Sequence, residues 1–329
     1  MSKEIYKPIF KELVNFHNYG NSFTFEYINE LREMKFPLIF KEFIEFPSKI
    51  EILEFNKFLL DKYQENYPEK NYIPEIRHLK ELTEQLLLDI KIPIPILVKY
   101  WIRAYSFESP FYGEMNYTLS KKLNNDFDTF IRVLYQGLIT KSIKPLIDET
   151  LYRGAKIGIK EVNYIKESLD RKKENMPGCI CYNKSFLSTS LDKNRATSFI
   201  FQRNINEDEK GVLYIINKGD KLDIENASNL DIQNYSCIAG EKEILFLPFS
   251  CFEIVGIKNC INESVKKEYI EINLTYIGKY KNKIHPSEKI PESQFVKDSF
   301  SSNVCDKNEM NKESNKKNLI SILKNIFHL

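Results

Sequence analysis

Three short stretches of this chain carry side chains that could act together. The first is Glu241-Lys242-Glu243, which opens the apolar run EKEILFLPFS. In a strand, side chains at i and i+2 share a face, so the two acids would stand side by side, about 7 Å apart along the backbone. Beyond them Leu245 and Leu247 would line one face and Ile244 and Phe246 the other, which is the pattern of a strand buried on both sides. Two carboxylates at the mouth of such a strand raise each other's pKa and resist desolvation. A solvated strand end, where acids cost nothing, fits the same letters. The second stretch is Ser188-Thr189-Ser190 in KSFLSTS. Ser188 and Ser190 would share a face, and each hydroxyl can donate to a carboxylate while accepting from another group. A polar strand end running into a helix is the plainer alternative. The third is Arg153-Gly154. A guanidinium fork suits phosphate or carboxylate, and glycine lets backbone approach a ligand closely. Alone, it also reads as a turn with a surface arginine.

Order and context add to these readings. LYRG is followed about 35 residues later by SFLSTS, and EKE begins about 53 residues after that. Taken together, these motifs resemble the mono-ADP-ribosyltransferase family. The likeness is to its arginine-specific branch, marked by Arg, Ser-Thr-Ser and Glu-x-Glu. Tyr105, Tyr112 and Asn116 in RAYSFESPFYGEMNYTL look like the family's tyrosine and asparagine helix, and Ala196 and Phe199 like its Ala-x-x-Phe step. The resemblance covers about residues 95 to 260, half of the chain. The first tyrosine lies two residues further from the second than in the family pattern, and residues 1–75 and 281–329 match nothing in it.

The resemblance implies a role for each position. Arg153 would hold an NAD phosphate, with Gly154 offering backbone hydrogen bonds to the nicotinamide amide. Ser188 would orient Glu243. Glu243 would bind the ribose 2′-hydroxyl and stabilise the oxocarbenium-like transition state. Glu241 would position and help deprotonate the acceptor. Phe199, or else Phe201, would stack on the nicotinamide. Tyr112 and Asn116 would pack at the adenosine end, and Arg203 is a candidate for the pyrophosphate. NAD would be a co-substrate, with no metal, and the partner a protein with an exposed arginine.

The chemistry is coherent on its own terms. Cleaving the glycosidic bond of NAD builds positive charge on the ribose, which a fixed carboxylate stabilises more in the transition state than in the ground state. A neighbouring hydroxyl fixes that carboxylate without neutralising it. A phosphate-binding arginine anchors the part of the substrate that does not react. Because an acceptor guanidinium stays protonated, a second acid is needed to pair with it and draw off its proton. An NAD glycohydrolase would use the same Arg153, Ser188 and Glu243 with water as acceptor. A catalytically inactive binding module of the same fold is a further alternative. A glycoside hydrolase fits less well, since the chain has a single tryptophan.

Composition narrows the classes. The 329 residues carry 48 basic and 46 acidic side chains, a net charge of +2, with no overall basic field for nucleic acid. Lys172-Lys173 and Lys266-Lys267 read as solvated charge. No run is long and apolar enough for a membrane span, and MSKEIYKPIFKELVNF lacks a signal-peptide core, so an intracellular-type protein is expected, with delivery by a non-standard export route left open. Six cysteines read as reduced thiols. Four scattered histidines, and Cys179 and Cys181 without a second pair, give no zinc pattern.

The elements that must position these residues follow from periodicity. Residues 1–75 read as a helical N-terminal extension, in which Ile52, Phe55, Leu59 and Tyr63 keep helical spacing. Residues 76–280 read as the catalytic domain. Its helices carry Leu79, Leu82, Leu86 and Ile90, then Leu97, Tyr100, Trp101 and Ala104, then Tyr112, Asn116 and Leu119, then Phe127, Phe130, Leu134 and Leu138. A short strand is expected to end at Leu151-Tyr152-Arg153, before a helix with Val162, Ile165 and Leu169 inward. Cys179 to Ser190 looks extended, and Asp192 is placed to cap a helix. Strands are expected at 211–217, 241–247, 251–257 and 269–277. Helices first and strands afterwards predict an α+β fold of the ADP-ribosyltransferase type: N-terminal helices packed on a mixed or antiparallel two-sheet β core. The loop Asn226 to Gly240, with Tyr235, is expected to select the target. Residues 281–329 read as a disordered polar tail ending in a short amphipathic helix with Leu319, Ile322, Leu323 and Ile326 on one side.

Overall fold

Ser48 begins the first long helix with a reciprocal cap: its Oγ accepts from the Glu51 amide at 3.3 Å, while its own amide donates to Glu51 Oε2 at 2.6 Å. The computed structural model describes residues 25–28, 46–68, 73–107, 110–121, 127–139, 143, 148–173, 180–183, 185–202, 205–220, 229–238 and 240–279. The segment 1–75, expected to be helical, contributes a strand, β1 (Phe25–Ile28), because it pairs antiparallel with residues 180–183. Five helices follow: α1 (Lys49–Asn66), α2 (Pro74–Leu87), α3 (Ile94–Ser106), α4 (Pro110–Lys121) and α5 (Asp128–Ile139). Among the described side chains the expected apolar stripes are buried, except that Ile90 lies past the end of α2 and is exposed and Tyr100 and Tyr112 are half-buried. Ile52, Phe55, Leu59 and Tyr63 of α1 join Leu79, Leu82, Leu97, Trp101, Phe130 and Leu134 in one cluster. Trp101 is fully buried and donates from Nε1 to Asn56 Oδ1 at 2.7 Å, which satisfies its only polar atom. No described helix is long and apolar enough to cross a membrane.

The second half supplies β2 (Leu151–Gly158), α6 (Ile159–Lys173), β3 (Ile180–Asn183), β4 (Leu187–Ser190), α7 (Lys193–Phe201), β5 (Glu209–Lys218), β6 (Asn229–Asp231), β7 (Glu243–Phe246), β8 (Ser250–Asn262) and β9 (Lys267–Lys279). Among the described residues these form one sheet in the order β1-β3-β8-β9-β5-β2-β4-β7-β6. The β5–β9 pair is parallel and the others antiparallel, so the fold is α+β with a mixed sheet. The expected two-sheet core takes the form of two sectors of this sheet, joined between β2 and β4 by the single pair Tyr152–Ser190. Hinged on one pair, the sectors face each other across a core in which Ala155, Val212 and Ile272 meet Leu187, Ile244 and Phe246.

β7 is buried on both faces, as its composition predicts: Leu245 and Leu247 join the helical cluster, and Ile244 and Phe246 the inter-sector core. Two boundaries differ from expectation. The strand expected to stop at Arg153 runs on to Gly158, because every residue from Leu151 to Gly158 is in register with β5. Glu241 and Lys242 do not belong to β7. Lys242 takes a φ of 48°, in the left-handed region, which breaks the alternation before the strand begins. Cys179, Arg203, Asn226–Ser228 and the tail 281–329 lie outside the described residues, as does most of the segment before α1.

Candidate functional site

The seam where β2 and β4 part is where the three motifs converge. A cleft of ≈ 340 Å³ opens there, lined by Arg153, Ser188, Glu241 and Glu243 and by side chains from α3, α4 and α7. Alternation along β2 puts Arg153 on the same side as Leu151 and Ala155, facing the other sector. Its Nη1 donates to the Ser188 carbonyl at 2.7 Å, across the gap where strand pairing has stopped. Its Nε is buried and has no partner among the described residues. A buried guanidinium N–H without an acceptor costs free energy unless an anion completes it, and a phosphate oxygen in the cleft would do so.

Gly154 is required by packing. α7 lies directly over it, and a Cβ at this position would come 1.9 Å from the Ala196 carbonyl oxygen. The helix is fixed there by its cap: Asp192 Oδ1 accepts from the amides of Asn194 and Arg195 at 2.9 and 3.2 Å. Such caps stabilise a helix by about 1 kcal/mol.

Each residue of the serine motif has a separate task. Ser188 Oγ donates to Glu243 Oε1 at 2.6 Å. Thr189 Oγ1 donates to the Ile244 carbonyl at 2.7 Å, locking β4 to β7. Ser190 Oγ donates to the Glu241 carbonyl at 2.6 Å and accepts from the Asp192 amide at 2.9 Å, so it ties the turn before β7 to the start of α7. The Lys242 carbonyl accepts from the Leu191 amide at 3.1 Å and completes this tie. The expected side-by-side placement of the two acids on one strand therefore gives way to a turn. Glu243 points into the cleft from the first residue of β7, and Glu241 reaches it from outside the strand.

Glu243 is 6% exposed, and burial pushes its carboxyl up to about 7, with the nearby Glu241 adding to the rise. The hydroxyls of Ser188 and Ser236 and the Arg153 guanidinium pull in the opposite direction. Glu241 is paired with Arg195, whose Nη2 donates to Oε1. The Arg195 guanidinium also lies 4.9 Å from the centre of the Phe199 ring.

The aromatic positions divide. Phe199 is 38% exposed and lines the cleft. Phe201 instead packs edge-on to Tyr269 at 6.2 Å, on the outer side of the sheet. Tyr112 lines the cleft, and its ring meets Tyr105 at 5.1 Å. Asn116 lies behind the cleft wall. Its Nδ2 donates to the Tyr105 hydroxyl at 3.4 Å and its Oδ1 accepts from the Phe186 amide at 3.0 Å, so its amide fastens α3 to the approach of β4. Tyr235 packs partly buried against the helical cluster. Arg195 and Ser236 were not singled out by sequence reasoning. The i, i+4 spacing of Arg195 and Phe199 on α7 is the signal that could have found the first. Ser236 has no comparable signal, because it reaches Glu243 only through the fold of the 232–238 segment. Among the described residues no group of three His, Cys, Asp or Glu side chains could hold a metal ion.

Helices against a mixed sheet, with this cleft at the seam, make the ADP-ribosyltransferase fold. Residues 112–279, just over half of the chain, match the sequence profile described as ADP-ribosyltransferase exoenzyme, and the chain belongs to that family. It is thus an ADP-ribosyltransferase of the kind that uses NAD. A search of curated proteins finds no match. Solved structures similar to it include Plx2a, an ADP-ribosyltransferase toxin from Paenibacillus larvae (18% identity, 63% of this chain and 98% of that chain covered, TM-score 0.40). They also include the ADP-ribosyltransferase HopU1 of Pseudomonas syringae (14% identity, 71% and 99% covered, TM-score 0.44) and the C3 exoenzyme of Clostridium limosum (13% identity, 70% and 96% covered, TM-score 0.37).

Proposed function

We propose that this chain is an NAD-dependent mono-ADP-ribosyltransferase that modifies arginine side chains of a protein, with residues 76–280 as its catalytic domain and residues 1–75, which supply β1 and α1, as an N-terminal extension. The observation that carries the reading is Glu241, an acid at the cleft mouth that already accepts a guanidinium, two residues before a buried Glu243 held by Ser188. In this scheme Arg153 anchors a phosphate through its free Nε. Glu243 accepts the ribose 2′-hydroxyl and stabilises positive charge on the ribose carbon as nicotinamide departs. Ser188 holds the carboxylate in that position. Phe199 offers its exposed ring to the nicotinamide, Tyr112 packs nearer the adenosine, and Asn116 acts by fixing the wall behind it. Glu241 pairs with the acceptor guanidinium and takes its proton as the new carbon–nitrogen bond forms.

Incubation with labelled NAD and agmatine or poly-arginine tests the reading. Labelled acceptor is expected, and NAD cleavage with no labelled acceptor would assign the chain to the glycohydrolases. Glu241→Gln is expected to lower transfer to agmatine by about 10²-fold or more while nicotinamide release in the absence of acceptor persists. Retained transfer would remove Glu241 from its role.

A second expectation comes from pH. Glu243 must be ionised to stabilise positive charge, and in the free protein it gains its charge at about 7. kcat/KM for NAD should therefore rise with pH through that value, since this parameter reports groups of the free enzyme. Ser188→Ala removes a hydrogen bond that favours the ionised form. Its rise should lie at higher pH, with kcat/KM at pH 7 lower by about tenfold. A profile that stays flat from pH 5 to 9 would remove Glu243 as the titrating group.

A further inference from the structure

Among the described residues that line the cleft, Arg195 is the one charged side chain that this scheme leaves without a task. Its position is specific. From the first turn of α7 it sends its guanidinium to Glu241 and lays it over Phe199 at 4.9 Å. These are the two groups that, on the proposed reading, receive the acceptor guanidinium and the nicotinamide. The contact is not one of full satisfaction. Arg195 Nε is buried with no hydrogen-bond partner among the described residues, and the side chain as a whole is 38% exposed. A guanidinium placed for its own sake would be expected to use its fork in a bidentate pair. This one makes an ion pair through Nη2 and a ring contact, with its own side chain partly open to solvent.

We propose that Arg195 is an internal stand-in for the acceptor arginine: it occupies the carboxylate of Glu241 until an acceptor guanidinium displaces it, and so sets the threshold affinity for acceptors. The proposal rests on the reading of Glu241 as the acceptor acid and adds to it a residue that sets acceptor affinity. Two chemically identical groups, the Arg195 guanidinium and that of the acceptor, compete for Glu241. Any acceptor meets an acid already engaged by a stacked, planar cation, and an acceptor guanidinium replaces that contact with one of the same kind. A competent site is then present only in the fraction of molecules whose Arg195 has swung away, and the apparent acceptor affinity is reduced by that fraction. Because the pair is partly exposed, the penalty is modest, about three- to tenfold. It weakens with salt, which screens such pairs.

Calorimetric binding of agmatine to the NAD-free full-length chain tests this without turnover. Arg195→Ala is expected to bind agmatine about three- to tenfold more tightly than the parent protein, with Arg195→Lys in between because it keeps the charge and loses the planar stack. In the Glu241→Gln background the same Arg195→Ala change should have no effect, since the shared partner is gone. In turnover, the KM for agmatine should fall by the same factor in Arg195→Ala, with kcat moved less. Equal or weaker binding by Arg195→Ala would overturn the proposal, and so would an undiminished effect in the Glu241→Gln background. The proposed function fails separately: tighter binding by Arg195→Ala together with NAD cleavage but no labelled agmatine would retain the competition and discard the transfer.

Discussion

Glu243→Gln is expected to reduce nicotinamide release by at least about 10³-fold and, in the same protein, to raise stability at alkaline pH. Both effects arise from one property. Glutamine is nearly isosteric and can still accept from the Ser188 hydroxyl, so the cleft keeps its shape. What disappears is the negative charge facing the ribose. Removing a single preorganised group that stabilises transition-state charge costs about 10²–10³ in rate, and a full carboxylate in a buried site should lie at or beyond the top of that range. The stability change has the opposite sign. A carboxyl whose pKa rises from 4.5 to about 7 on folding keeps its proton in the native state while the unfolded chain has lost it. Its contribution is fully present below pH 4.5 and is lost as pH climbs through about 7. At pH 8 the parent protein thus holds a buried charge that costs up to about 3 kcal/mol, and Glu243→Gln is relieved of it. Urea unfolding at pH 8 should show the variant more stable and inactive, with the gap closing as the pH is lowered towards 4. A variant that is inactive and also less stable at pH 8 would mean that Glu243 serves packing and carries no buried charge.

Gly154→Ala should be the most damaging single-methyl change in the catalytic half. The added carbon would sit 1.9 Å from the Ala196 carbonyl oxygen, with Ile200 Cγ1 at 3.2 Å, so α7 must lift off β2. The obstacle is backbone, which cannot rotate aside. Overpacking of this kind costs about 1–3 kcal/mol and sometimes more. The loss of function should exceed the loss of stability. α7 carries Arg195 and Phe199, and its first residues are tied through Ser190 to the turn that aims Glu241. Displacing such a positioning element by about 1 Å can cost 10² in rate. Gly158→Ala on the same strand is the control, because its added carbon would approach nothing closer than the Asp208 carbonyl at 4.0 Å. Denaturation midpoints and nicotinamide release should separate the two variants clearly. Equal behaviour would show that α7 is not seated as described.

Local sequence determined much about this protein. Periodicity placed the buried stripes of α1, α2, α3 and α5, because an amphipathic helix has one apolar face wherever it ends up. Asp192 announced its helix through cap chemistry, which needs only the next three residues. The opposed apolar faces of β7 were readable because alternation is a backbone property. The motif residues Arg153, Ser188, Glu241 and Glu243 could be singled out by type and order alone. Only the tertiary structure decided how they meet. β2 had to continue past Arg153 to pair with β5, and a strand partner more than fifty residues away leaves no local mark. The left-handed residue before β7 moved Glu241 off the strand, a choice made by contacts from Ser190 and Leu191 on β4's side. Asn116 could not be known to face inward until Phe186 and Tyr105 took both ends of its amide. Arg195 acquired meaning only when α7 folded against the seam and its guanidinium met Glu241. In each case the deciding contact includes a partner far away along the chain, and its energy does not exist until the tertiary fold brings the two together.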